Sequence, residues 1–217
     1  MTAEIAPTAL RAVGRSAVDV EAAAAAVEDL MRALGMDVDE PGLRRTPSRV
    51  ARAYAEMLAP REFGLTTFPN DEGYDELVVA RDIPFHSLCQ HHLLPFHGVA
   101  HVGYIPGERI LGLSKLARVA ELFARDLQVQ ERLTQQVADW LQEHLAPRGV
   151  GVVIEAEHLC MSLRGVRATG SRTVTSALHG LVVLGLEEKL QAIPLPVLRE
   201  QVRFVVTAIG RGMVAPA

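Results

Sequence analysis

Only two cysteines, Cys89 and Cys160, occur among the 217 residues. No run of 18 apolar residues is present, which excludes a transmembrane helix. The N-terminus lacks the basic-then-apolar pattern of a signal peptide, so a cytoplasmic protein with reduced thiols is expected. Excess positive charge is also missing. The net charge is -4 and the pI about 6.1, so the molecule as a whole is no polyanion binder, and neither nucleic acid nor membrane is expected as a partner. Nucleotide-loop motifs are absent as well. No P-loop occurs. Gly149-Val150-Gly151-Val152-Val153-Ile154 lacks the final glycine and leads into a strand, and Gly210-Arg211-Gly212 lies nearly at the chain end, so neither is a dinucleotide fingerprint. There is no H-E-x-x-H and no H-x-E with P-C-x-x-C, which removes the common zinc proteases and the base deaminases.

What remains is an ordinary globular composition, 49% hydrophobic and 22% charged, enough for one sizeable domain or one domain with a helical arm. Residues 1–16 show no period and are expected to be mobile. Helical spacing runs from Val18 to Met36, with Gly35 as a stop. Thr46-Pro47 reads as an N-cap followed by proline at the first helical position. Residues 63–73 look like a loop. Strands are expected over 76–85, 98–105, 150–158 and 173–178, and helices over 113–126 and 129–145. Two further helices are expected over 186–191 and 197–209. Helices, two strands, two helices, two strands do not alternate as in a doubly wound sheet. The order predicts an α+β fold, an antiparallel sheet with helices on one face and an N-terminal helical arm. The expected organisation is a helical region over 17–62 and a catalytic domain over 63–217.

Five of the eight histidines fall between His86 and His101. Within that cluster, Cys89-Gln90-His91-His92 sets a thiol and an imidazole three residues apart. A turn lets such a pair converge on one ion, with zinc binding thiolate at roughly 2.3 Å and imidazole at roughly 2.0 Å. Cys160 completes a set from another strand, with His158 beside it. Two cysteines and one histidine plus water make an open, catalytic type of site; a fourth protein ligand would close it. His91 and His158 are left over, and each suits either proton transfer near neutral pH or a supporting hydrogen bond.

Gly112-Leu113-Ser114-Lys115-Leu116-Ala117-Arg118 opens the 113–126 helix, with Ser114 as its expected N-cap. Lys115 and Arg118 share a face of the first turn. Cations oppose the partial positive charge of a helix start, so their presence favours a bound anion over two solvated side chains. Arg164, Arg167 and Arg172 follow Cys160 and bring more positive charge. Gln130 and Glu131 lie in the first turn of the next helix. The carboxylate there either complements the helix dipole or accepts from paired N–H groups of a ligand.

Together, Cys89-x-His91-His92, the stretch Gly112 to Lys115 with Arg118, Gln128-Val129-Gln130-Glu131-Arg132-Leu133-Thr134, and His158-x-Cys160 with Arg164-Gly165 resemble GTP cyclohydrolase I. The resemblance is dense from Thr46 to Gly180. It implies a tunnelling fold, a toroidal homodecamer with sites between subunits, and conversion of GTP and water to 7,8-dihydroneopterin triphosphate and formate, the first step of folate and pterin synthesis. It implies Zn2+ on Cys89, His92 and Cys160, activating water that attacks C8 of the guanine ring. It further implies that His158 protonates the ring nitrogen and His91 helps move protons. Glu131 would grip the guanine edge with Gln130 beside it. Ser114, Lys115, Arg118 and Arg164 would hold the triphosphate, joined by Arg49 of another subunit.

Two departures stand out. Gln90 occupies a position where the family usually carries Glu, which removes a negative charge beside a zinc ligand. The segment 181–217 is more apolar than the family's tail and contains Pro194 and Pro196. Two other readings are a member of the fold that binds without turnover and a tunnelling-fold enzyme acting on another purine or pterin.

Overall fold

The computed structural model describes residues 18–180. The elements are α1 (Val20–Ala33), α2 (Thr46–Met57), β1 (Thr67–Pro69), β2 (Val78–Cys89), β3 (Pro95–Ile105), β4 (Arg109–Leu111), α3 (Ser114–Ala124), β5 (Leu127–Gln128), α4 (Gln130–Leu145), β6 (Gly149–His158), α5 (Leu159–Ser162) and β7 (Thr173–Gly180). The expected helices over 186–191 and 197–209, and the expected mobile stretch 1–16, lie outside the described residues.

The alanine-rich α1 is capped by Asp19, whose carboxylate accepts from the Ala22 amide at 2.9 Å. It ends where Gly35 takes φ +79°. α2 packs against α1. Thr46 does not cap α2, contrary to the sequence reading. The Thr46 amide already donates to Leu43 O at 2.8 Å, so the chain turns helically one residue earlier and Arg45 takes the cap position without a side-chain bond. The same shift occurs at α3. Lys115 N donates to Gly112 O at 2.8 Å, Leu113 occupies the cap position, and Ser114 is the first helical residue, not the cap.

Five strands form one sheet in the order β5-β2-β3-β6-β7. Every neighbouring pair is antiparallel except β2–β5, which is parallel, so the sheet is mixed where an antiparallel one was expected. β5 is two residues long, below the length at which alternation can be seen. β1 and β4 make a separate antiparallel ribbon, and β1 lies inside the stretch expected to be loop. Three residues carry no period of their own. The ribbon is fastened by Arg109, whose Nε donates to Thr67 Oγ1 at 2.7 Å.

Alternation decides which sheet face is covered. Ile83 and Phe85 are buried while Pro84 and His86 between and beside them are exposed. Phe96, Val102, Val152, Ile154 and Ala177 continue the buried face, and they share one apolar core with Leu116 and Val119 of α3 and Leu133, Val137 and Leu141 of α4. α3 lies against β2 and β3, and α4 against β6 and β7. The α+β class and the helices on one face therefore match the expectation. Pairing of Leu88 with Pro95, and of Phe96 with His158, brings the end of β2 and the end of β6 to the same edge of the sheet. That edge holds the chemistry-bearing residues. Among the described residues no helix is long and apolar enough to cross a membrane.

Candidate active site

Cys89 ends β2 and is buried. Its carbonyl accepts from the amides of His92 at 3.3 Å and Leu93 at 2.9 Å, which closes a tight turn over residues 89–93. Leu93 pays for the turn with φ +54°. α2 steadies it, because the Tyr54 hydroxyl donates to Leu93 O at 2.9 Å. Parallel pairing with β5 holds the other flank, where Gln90 N donates to Gln128 O at 3.0 Å. Cys160 arrives from α5, the short helix that follows directly on β6.

The turn and the short helix make three side chains converge. Ligand atoms of Cys89, His92 and Cys160 lie within 4.8 Å of one another. Cys160 Sγ is 4.0 Å from Cys89 Sγ, and His92 Nδ1 is 3.7 Å from Cys89 Sγ. The edges of a tetrahedron built from zinc–thiolate and zinc–imidazole bonds are about 3.8 Å and 3.6 Å. The donor set thus fits a four-coordinate ion with one position left for a non-protein ligand. Burial, and then the adjacent Cys89 thiol, push the Cys160 thiol up, with Arg164 pulling the other way. A divalent cation relieves that opposition, since it binds both sulfurs as thiolates. His91 stands just outside the three. Its Nδ1 is 4.0 Å from Cys89 Sγ, and its Nε2 lies 3.2 Å from Gln90 Nε2.

His158 ends β6, next to the three. Its ring stacks on Phe96 with centroids 4.6 Å apart and planes 2° from parallel. Its Nε2 is 2.8 Å from Gln130 Oε1. Burial holds the His158 imidazole below its ordinary value, opposed by the Glu131 carboxylate. The last turn of the chemistry thus comes from α4, whose first two residues bring Gln130 against His158 and leave Glu131 exposed. Arg164 is exposed in the loop after α5.

The remaining sequence candidates lie on α3 and α2. Ser114 and Lys115 begin α3, whereas the end of α3 leads through β5 to Cys89. Eleven residues of helix separate the two ends by about 16 Å. Lys115 Nζ lies 5.8 Å from the Phe63 ring centroid. Arg118 is exposed on the same helix and lines a cleft of about 220 Å³ with His86, Glu121 and Arg125. Arg49 is exposed on α2. One chain therefore assembles Cys89, His91, His92, Cys160, His158, Gln130, Glu131 and Arg164 at one edge; Ser114, Lys115 and Arg118 lie along α3, and Arg49 lies on α2, the helix whose Tyr54 reaches Leu93 of the turn. Phe96 and Tyr54 escaped the sequence reading. Phe96 lies before the expected strand 98–105, and only the register of β3 and the docking of α2 give the two residues their partners.

Residues 23–192 match the family model described as GTP cyclohydrolase I. The chain belongs to the GTP cyclohydrolase I family of enzymes. It is 54% identical over 186 residues to GTP cyclohydrolase 1 of Mycobacterium tuberculosis (strain ATCC 25618 / H37Rv), covering 82% of this chain and 90% of the relative. It is 53% identical over 188 residues to GTP cyclohydrolase 1 of Mycobacterium ulcerans (strain Agy99), covering 82% and 91%. A crystal structure of the archaeosine synthase QueF-Like in the apo form aligns at TM-score 0.39 and 17% identity, over 48% of this chain and 93% of that one, a likeness too loose to bear on the fold.

Proposed function

We infer that this member of the GTP cyclohydrolase I family hydrolyses GTP, with water, to 7,8-dihydroneopterin triphosphate and formate, at a zinc site made by Cys89, His92 and Cys160. The observation that carries the reading is the convergence of those three donors within 4.8 Å at the sheet edge that also holds His158. A histidine and two thiolates suit zinc, and three protein donors suit a catalytic ion better than a structural one. Bound there, zinc supplies Lewis acidity toward water and toward the guanine imidazole ring.

The chain's own residues supply the rest. Glu131 accepts from the paired N–H groups of guanine and fixes the purine against the edge of the sheet. His158, stacked on Phe96, delivers a proton to the ring nitrogen as the C8–N bond opens. His91, exposed beside Cys89, carries protons between site and solvent. Arg164 neutralises phosphate charge close to Cys160. Ser114, Lys115 and Arg118 bind the remaining triphosphate oxygens, and Arg49 adds a further cation.

The place of Ser114 and Lys115 at the start of α3, about one helix length from the end that leads into β5 beside Cys89, supports a site shared between subunits, in which a neighbour's α3 start faces this chain's metal centre. That arrangement goes with a tunnelling fold closed into a homodecamer. The helical region over 17–62 and a catalytic domain over 63–217 are the corresponding parts of the protomer. The setting is the cytoplasm, and the product feeds folate or other pterin synthesis. The test is purified, zinc-loaded protein with GTP, followed by pterin absorbance and by formate. Metal-replete protein that releases neither would overturn the reading.

A further inference from the structure

The Gln130 amide is fully committed inside the protein. The side chain is 1% exposed. Its Nε2 donates to Ile154 O at 2.9 Å and to Thr173 O at 3.0 Å, which uses both amide hydrogens and ties α4 to β6 and β7. These two bonds also fix the amide's orientation, because the opposite flip would set Oε1 against two carbonyl oxygens. Oε1 faces His158 Nε2 at 2.8 Å. An amide oxygen has no hydrogen to give, so the hydrogen in that bond belongs to His158 Nε2. Nδ1 is then the ring nitrogen that keeps its lone pair. The stack on Phe96, itself 0% exposed, restrains the ring across its plane while Gln130 restrains it within the plane.

We propose that Gln130 is a positioning residue that fixes the tautomer and the plane of His158, so that Nδ1 is the nitrogen presented for proton transfer, and that the Gln130 side chain does not contact the nucleotide. The proposal rests on the reading of His158 as the proton donor to the guanine ring. Nδ1 takes a proton from water, which makes the ring an imidazolium still held through Nε2–H by Gln130, and passes that proton to the guanine ring nitrogen, so the imidazole returns to the tautomer in which it began.

Two measurements test it separately. Solid-state 15N NMR of histidine-labelled protein without GTP, with the His158 signals identified by their loss in His158→Asn, reads the tautomer directly. Wild type is expected to carry the hydrogen on Nε2. A wild-type His158 with its hydrogen on Nδ1 overturns the proposal, and this arm needs no active enzyme. Gln130→Met keeps the side chain's length and removes the hydrogen bonds. It is expected to lower kcat about 100-fold with KM for GTP within about twofold, and to mix the His158 tautomers. A raised KM with unchanged kcat would make Gln130 a nucleotide contact and overturn the proposal. Absence of GTP turnover in wild type would sink the functional reading alone, since the NMR arm still decides the tautomer.

Discussion

Cys89, His92 and Cys160 converge because a five-residue turn and a four-residue helix meet at the same sheet edge, the turn contributing Cys89 and His92 and the helix Cys160. Replacing Cys160 by serine exchanges a thiolate for a hydroxyl that stays protonated at neutral pH. Cys160→Ser is expected to lose its metal and its activity, checked by metal analysis of the purified protein. Retention of stoichiometric zinc with full activity would show that the ligand set is wrong. Glu131→Ala removes a charge-assisted acceptor worth about 2 kcal/mol, so kcat/KM for GTP should fall roughly 10- to 100-fold while zinc content stays unchanged. Much of this site was legible in the sequence, because chelating spacing and flanking histidines are local features. The work of Gln130 was not. Its carbonyl partners lie 24 and 43 residues further along, so only the folded register reveals that both its hydrogens are spent.

The longer elements were also legible, since eight or more residues show a period that short ones cannot. β2, β3, β6, β7, α3 and α4 emerge from alternation or helical spacing, while β1, β4 and β5, at two or three residues each, exist only through their pairing. The two misplaced caps have the same origin: the chain turns helically before Thr46 and Ser114 through backbone bonds that no side-chain pattern signals. Close pairing of β3 and β6 sets one strict requirement. A Cβ at Gly98 would stand 1.9 Å from Glu155 O, a backbone atom that cannot swing away. Gly98→Ala is expected to destabilise the fold by about 3 kcal/mol, read as a lowered denaturant midpoint; an unchanged midpoint would contradict this register. The bulge in β2 sets a pH dependence. His101 Nδ1 accepts from the Asp82 amide at 3.2 Å, a bond available only to the neutral ring. Burial holds His101 below its ordinary value, with Asp82 and Glu155 opposing and Arg81 assisting. The unfolded chain therefore binds a proton that the folded chain does not, and stability falls as pH drops from about 6.5 through the lowered folded value. The Tm difference between pH 7 and pH 5 should shrink in His101→Gln, which keeps an acceptor and cannot titrate.

At the scale of the whole molecule, the proposed site is shared, with the α3 cations of one subunit meeting the metal centre of another. Lys115→Ala and Cys160→Ser should each be inactive alone. Co-expressed at equal levels, they should form mixed oligomers in which roughly one site in four combines an intact metal centre with an intact cationic helix start. Recovery of activity in the mixture fits a shared site, and none at all means that one chain supplies both halves. Light scattering should give ten chains of 23.6 kDa, about 236 kDa. The central claim is more direct than either. Zinc-loaded wild-type protein given GTP should release formate and a pterin triphosphate in equal amounts, and metal-free protein should release neither. Equal rates with and without metal, or a metal-replete protein that leaves GTP intact, would contradict it.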